Sequence, residues 1–251
     1  MNIFISGISG TGMGPLALMA KDAGLNVFGS DLAEGAVAKE LAEKNIEVKF
    51  GTQSGQYLRE KFENGGIDWF VYTSALPQDH PELLAAKELG IKTSKRDELV
   101  AYLVEKLGLK MIAIAGTHGK TTPTAMIVWL CLNLNIPVSY LVGSTLPFAK
   151  SGSYTPGAEF FIYEADEYDR NFLHFNPYIS VITVISYDHQ DIYPTRESYE
   201  EAFRQFQAQS QTVIHVKTIN KKRISLRLVL FLLYRKLRFQ KAKTFILKRF
   251  I

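Results

Sequence analysis

The sequence predicts an α/β protein, a Rossmann-like N-terminal domain followed by a partial P-loop-type α/β ATPase domain. Three observations predict it. A short apolar run, Asn2 to Ser6, passes into the glycine-rich Gly7-Ile8-Ser9-Gly10-Thr11-Gly12-Met13-Gly14 and then into a helical pattern. A second strand–loop–helix pattern spans Met111 to Leu130, around Gly116-Thr117-His118-Gly119-Lys120-Thr121-Thr122. Ile179 to Ile185 is an almost unbroken apolar run, as in a parallel strand buried on both faces.

Composition narrows the function classes. The 251 residues suffice for one large domain or two ordinary ones, and 47% hydrophobic with 22% charged residues excludes a disordered chain. The single cysteine, Cys131, excludes an internal disulfide framework and suits core packing in a reducing cytosol. Met1 to Gly7 lacks the basic segment of an export signal, so a cytoplasmic location is expected. The net charge of +4 belongs to the C-terminal end: residues 212–251 hold twelve Lys or Arg and no acid, leaving 17 basic against 25 acidic residues, or −8, elsewhere. A nucleic-acid partner would rest on that tail alone, and none is expected.

In the first domain, 1–108, the helix Leu16 to Ala23 closes at Gly24, and the strand Asn26 to Gly29 ends in Ser30-Asp31. An acid roughly 20 residues past the glycines is where a Rossmann-type site meets a ribose hydroxyl. Pro15 stands where a dinucleotide fingerprint has its third glycine, and a nicotinamide dehydrogenase would also leave Gly116 to Thr121 without a purpose. Val71-Tyr72-Thr73-Ser74-Ala75-Leu76-Pro77 ends a strand at Ser74, and Pro77 and Pro81 shape a turn before the amphipathic helix Leu83 to Leu89. The helix Arg96 to Val104 runs on to Gly108, the domain boundary.

In the second domain, 109–216, Gly116 and Gly119 let backbone N–H groups face an anion. The following helix adds its positive end, and Lys120 adds a mobile charge. Thr121, directly after the lysine, is placed to ligate Mg²⁺. Ile114 replaces the first Gly of G-x-x-x-x-G-K-[ST], which makes the loop tighter than the general pattern. A turn that binds nothing is the alternative; Gly, Lys and hydroxyl together between strand and helix favour ATP. Glu159 to Tyr163 is a strand that ends in Glu164-Ala165-Asp166-Glu167-Tyr168-Asp169, and these acids suit either a metal near the phosphates or a solvated loop. Ile179 to Ile185 leads to Asp188-His189-Gln190-Asp191, whose His suits a metal ligand or a hydrogen-bonded loop residue. Arg196 to Gln209 is a helix with Tyr199, Phe203 and Phe206 on one face, followed by a strand from Thr212 to Val216.

Gly116 to Thr122 resembles the ATP loop of the Mur ligases, bacterial enzymes that add amino acids to the UDP-linked peptidoglycan precursor. Gly7-x-x-Gly10-x-Gly12-Met13 with Gly29-Ser30-Asp31, the Val71 to Pro77 string, Asp79 to Leu83 and Ala85 to Ile91 are similar to that family's first domain, which holds the UDP part of the substrate. The resemblance implies Gly7, Gly10, Gly12, Met13, Asp31 and Ser74 as UDP-substrate contacts. It implies Gly116, Thr117, His118, Gly119, Lys120, Thr121 and Thr122 as ATP contacts, and Lys120, Glu164 and His189 as catalytic residues, with Thr121, Glu164 and His189 holding Mg²⁺. The implied reaction is ATP-dependent joining of L-alanine to the carboxylate of UDP-N-acetylmuramate through an acyl phosphate, with a ready-made tripeptide as the alternative amine. Val184 and Ser186 depart from the pattern, standing where the family has Asn and an acidic residue, which puts local polar contacts around the nucleotide and metals in question.

From about Lys217 the resemblance stops. Leu228 to Tyr234 is too short to span a bilayer, so 217–251 reads as a basic non-family tail. Its abrupt composition points to a frameshifted or prematurely ended reading frame; a basic amphipathic membrane-surface helix is the alternative. On that reading the chain is an inactive ligase, or else a non-catalytic nucleotide-binding fragment.

Overall fold

A computed structural model describes residues 1–73 and 75–216. Ser74 and the tail 217–251, with the substrate contact and the tail origins expected of them, lie outside the described residues. The chain divides into two compact units. One comprises Met1–Gly108 with Gly143–Tyr154, the other Leu109–Val142 with the chain from Thr155 onward.

The first unit alternates strands and helices: β1 (Asn2–Ser6), α1 (Met13–Asp22), β2 (Asn26–Asp31), α2 (Ala38–Glu43), β3 (Glu47–Phe50), α3 (Gln56–Gly65), β4 (Trp69–Tyr72), α4 (Pro81–Glu88), β5 (Lys92–Lys95) and α5 (Arg96–Lys106). Its sheet is parallel throughout, in the order β3-β2-β1-β4-β5. Central β1 sets Ile3 opposite Val27 on one side and Trp69 on the other. Phe4 and Phe70 stack with ring centroids 5.8 Å apart, over Leu58 and Leu83 from α3 and α4. The edge strands β3 (Glu-Val-Lys-Phe) and β5 (Lys-Thr-Ser-Lys) carry little apolar signal, and only pairing reveals them. At β5 the Trp69 Nε1–H donates to Ser94 Oγ at 2.8 Å, which accounts for a buried serine in a polar strand.

α4 starts where its sequence directs. His80 caps it, Nδ1 accepting from the Glu82 N–H at 3.3 Å, and Pro81 occupies the first helical position, where no backbone donor is needed. Glu82 is 1% exposed and accepts from Ser6 Oγ (2.6 Å), Ser30 Oγ (2.8 Å) and Gln53 Nε2 (3.1 Å). One buried carboxylate thereby ties the ends of β1 and β2 to α4. The segment Gly143–Tyr154, with the two-residue β8 (Gly152–Ser153), also belongs to this unit; it packs on α1, and Lys150 pairs with Glu40 at 2.8 Å.

The second unit holds β6 (Lys110–Ala115), α6 (Thr121–Asn133), β7 (Val138–Leu141), β9 (Phe160–Glu164), β10 (Ile179–Ile182), α7 (Arg196–Ala208) and β11 (Val213–His215). These five strands are parallel, in the order β11-β10-β6-β9-β7. β10 stops at Ile182 although the apolar run continues to Ile185. The reason is local: Thr183 Oγ1 donates to the His118 carbonyl at 2.7 Å and turns the chain toward the β6 loop. α7 opens with a capping box between Thr195 and Ser198, and it buries Tyr199, Phe203 and Phe206. Phe172 meets Phe203 and Phe206 at centroid distances of 5.0 and 4.7 Å. Among the described residues no helix is long and apolar enough to cross a membrane.

Two outcomes follow from this packing. Phe203→Ala is expected to lower stability by about 3–5 kcal/mol, read from urea unfolding, because it removes one of the two α7 rings packed on Phe172 and leaves a cavity. Cys131 is 4% exposed, and burial pushes its thiol up to about 12. A thiol reagent at neutral pH should therefore label it only after denaturant is added, and rapid labelling of the folded chain would contradict this burial.

Candidate nucleotide and metal site

The loop between β6 and α6 is shaped by close approach of main chain to main chain. Gly116 has φ 139°, and a Cβ there would lie 2.1 Å from Thr183 Oγ1, so no other residue fits. The Thr117 N–H donates to the Val184 carbonyl at 2.8 Å, and His118 bridges to Val184. The Thr117 hydroxyl sits 2.6 Å from Tyr199 Oη, donates to the Ser186 carbonyl at 2.9 Å and accepts from the Ser186 N–H at 2.9 Å. His118 itself is exposed. The two departures noted in the sequence, Val184 and Ser186, therefore contact the loop through their backbones, which any side chain there would leave in place.

Beyond this clip the chain enters α6 at Thr121, whose first-turn amides have no acceptor within the helix. Pro123, in that same turn, lacks a donor the helix would not have used. Thr124 Oγ1 donates to the Lys120 carbonyl at 2.7 Å. Thr121 Oγ1 donates to Glu164 Oε1 at 2.7 Å, joining the start of α6 to the end of β9. Lys120 Nζ donates to Glu167 Oε2 at 2.5 Å, and His189 Nε2 lies 3.4 Å from Glu167 Oε1. The expected residues thus form two adjoining groups, Thr121 with Glu164 and Lys120 with His189. Glu167, which the sequence reading left as one acid among several in its string, joins the second group.

The support under these groups is rigid. Tyr193 is fully buried and its Oη donates to the Glu167 carbonyl oxygen at 2.5 Å; burial pushes the phenol up to about 12, so it stays a donor at neutral pH. Asp169, Arg170 and His189 all hold left-handed φ values, 53°, 58° and 55°, a conformation that costs energy outside glycine and collects at functional sites. The His189 ring meets Tyr168 edge to face at 5.1 Å. Among the described residues no three His, Cys, Asp or Glu side chains gather into a metal-holding cluster. A hydroxyl and a carboxylate already in contact beside a phosphate-type loop are the oxygen donors that suit Mg²⁺, which takes one or two protein oxygens and completes its shell with phosphate and water.

In the first unit the glycine loop folds on itself. The Gly7 and Ile8 amides donate to the Ser30 carbonyl, Gly10 to Gly7, and both Met13 and Gly14 to Gly10. Asp31, expected at a ribose, accepts from the Ser9 N–H at 2.7 Å and from the Leu32 N–H at 2.8 Å, so its carboxylate holds the loop to the end of β2. A Cβ on Gly12 would lie 2.8 Å from an Arg96 guanidinium nitrogen. The arginine, at the start of α5 far along the sequence, was not singled out by any motif, and Gly12 is what lets it approach the loop.

Comparison with known proteins bears on both units. Residues 2–106 match the profile described as "Mur ligase family, catalytic domain", and residues 114–227 match that of the "Mur ligase middle domain". The chain belongs to the Mur ligase family. The second match runs past Val216, where the motif resemblance had been drawn to a close. A UDP-N-acetylmuramate–L-alanine ligase of Syntrophomonas wolfei is 37% identical over 204 residues, which are 81% of this chain and 42% of that protein. The chain spans about 42% of the length of the curated relatives it matches. A solved UDP-N-acetylmuramate-alanine ligase from Thermotoga maritima superposes with a TM-score of 0.74 at 26% identity, over 91% of this chain and 51% of that one. The UDP-N-acetylmuramate:L-alanyl-gamma-D-glutamyl-meso-diaminopimelate ligase of Neisseria meningitides gives 0.73 at 25%, over 92% and 74%. Mur ligase membership accounts for a chain of two α/β units, each with a glycine-containing loop after a central parallel strand.

Thr117→Val keeps the volume and removes the hydroxyl shared by Ser186 and Tyr199. Thermal or urea unfolding should show a loss of about 1–3 kcal/mol, since buried partners are left unsatisfied.

Proposed function

We propose that the first unit holds UDP-N-acetylmuramate and the second holds ATP with Mg²⁺, the two substrates of an ATP-dependent carboxylate–amine ligase that adds L-alanine. The observation that carries this reading is the pairing of Lys120, the last residue of the β6–α6 loop, and Thr121, the first of α6, with Glu167 and Glu164. Phosphoryl transfer needs positioning and charge neutralisation more than covalent help from the protein. Gly116 to Thr122 cradle the phosphates, with Lys120 as the mobile cation; Thr121, Glu164 and His189 are the residues that would hold Mg²⁺, which neutralises charge on the transferring group when bound. The muramate carboxylate takes up the phosphoryl group, and the amine then displaces phosphate to form the amide. Gly7, Gly10, Gly12 and Met13 belong to the UDP loop and Asp31 braces it; Ser74, outside the described residues, enters on the family resemblance alone. ATP and a UDP-sugar as substrates suit a cytoplasmic reaction.

A tripeptide in place of L-alanine is the second reading. Its support is the likeness to the Neisseria ligase, whose name specifies that peptide and which this chain matches over 74% of its length.

Calorimetry tests the assignment of ligands to loops. Lys120→Ala should weaken MgATP by about 1.5–3 kcal/mol, the worth of a hydrogen bond to a charged group, and leave UDP-N-acetylmuramate unchanged. Gly12→Val, which puts a side chain where the loop backbone would approach the pyrophosphate, should do the reverse. Equal losses for both ligands in either variant would point to unfolding and would count against the assignment.

A further inference from the structure

We infer that Glu167 is a positioning residue of the nucleotide site, holding the phosphate-facing Lys120 and the metal-side His189 with separate oxygens of one carboxylate. The inference rests on the ATP reading above and adds a residue to it. Glu167 is 1% exposed, and a carboxylate so enclosed must be compensated. Oε2 receives Lys120 Nζ at 2.5 Å. Oε1, fully buried, has no hydrogen-bond partner and faces His189 Nε2 at 3.4 Å, just beyond a good hydrogen bond. The backbone at Glu167 is itself fixed, since its carbonyl accepts from Tyr193 Oη. The carboxylate therefore stands between two side chains that come from separate segments. Lys120 sits at the end of the loop and His189 follows β10, and without Glu167 nothing in this set of contacts would relate one to the other.

A carboxylate that orients a metal-side histidine is commonly worth about 10- to 100-fold in affinity. The part of its contribution that runs through a given partner disappears when that partner is removed, which separates positioning from a general effect on folding. MgATP is titrated into the full 251-residue chain and into Glu167→Ala, His189→Ala and the double variant. Glu167→Ala should lose about 10-fold in the parent chain and clearly less in the His189→Ala background, where only its hold on Lys120 remains. Glu167→Gln is nearly isosteric and carries the same cycle if the alanine variant unfolds. A second readout needs no ligand: in ¹⁵N-lysine spectra, the Lys120 ammonium, assigned through Lys120→Ala, should exchange slowly and lose that protection in Glu167→Gln. Losses that multiply across the cycle, unchanged affinity in Glu167→Ala, or an unprotected Lys120 ammonium would each overturn the inference. A parent chain that does not bind MgATP while the Lys120 signal is protected would instead remove the ATP reading, and the positioning role with it.

Discussion

The arrangement depends on one constraint: the strands of the first sheet and the five strands β11-β10-β6-β9-β7 of the second are parallel, with β6 in the middle of those five. With β10 on one side and β9 on the other, three chain segments leave the sheet at the same edge. They are the segments that follow Ala115, Glu164 and Ile182, and Lys120, Thr121, Glu167 and His189 lie on them, with Glu164 at the end of β9. Ligands of open parallel sheets bind beyond the carboxyl ends of the strands for this reason. In the first unit β1 has the same central place, and the glycine loop follows it.

Main-chain contact then makes the site tolerant of some changes and intolerant of others. Gly116 admits no side chain, because Thr183 and Val184 occupy the space. Val184 and Ser186 are different, since the loop reads their N–H and C=O groups. The same part of the fold therefore contains a position closed to any side chain beside positions whose contacts to the loop are made by the main chain.

The two units compensate a buried carboxylate in different ways. Glu82 is surrounded by neutral donors, two serine hydroxyls and a glutamine amide, and it braces strand ends. Glu167 is compensated by a lysine and faces a histidine across a gap. Neutral donors in a fixed frame make a structural tie; a cation on a flexible stem beside an imidazole leaves groups that can answer to a ligand.

The sequence by itself determined the two strand–Gly loop–helix openings, because hydrophobic period, glycine placement and helix starts are local properties. It also determined the buried run at β10 and the aromatic face of α7. The likeness of Gly116 to Thr122 to a family loop was likewise legible in order along the chain. The polar edge strands β3 and β5 were not legible, since their stability comes from neighbours rather than from their own composition. The resemblance had already set Glu164 apart, but only the tertiary structure gave Glu167 a place of its own. Within one acidic string, three residues apart, one meets a threonine hydroxyl and the other a lysine and a histidine, a distinction made by which segments emerge beside β9. Arg96 over Gly12 and Asp31 on the Ser9 amide belong to the same class: contacts across long sequence separation, set by the order of strands in a sheet and absent from any local pattern.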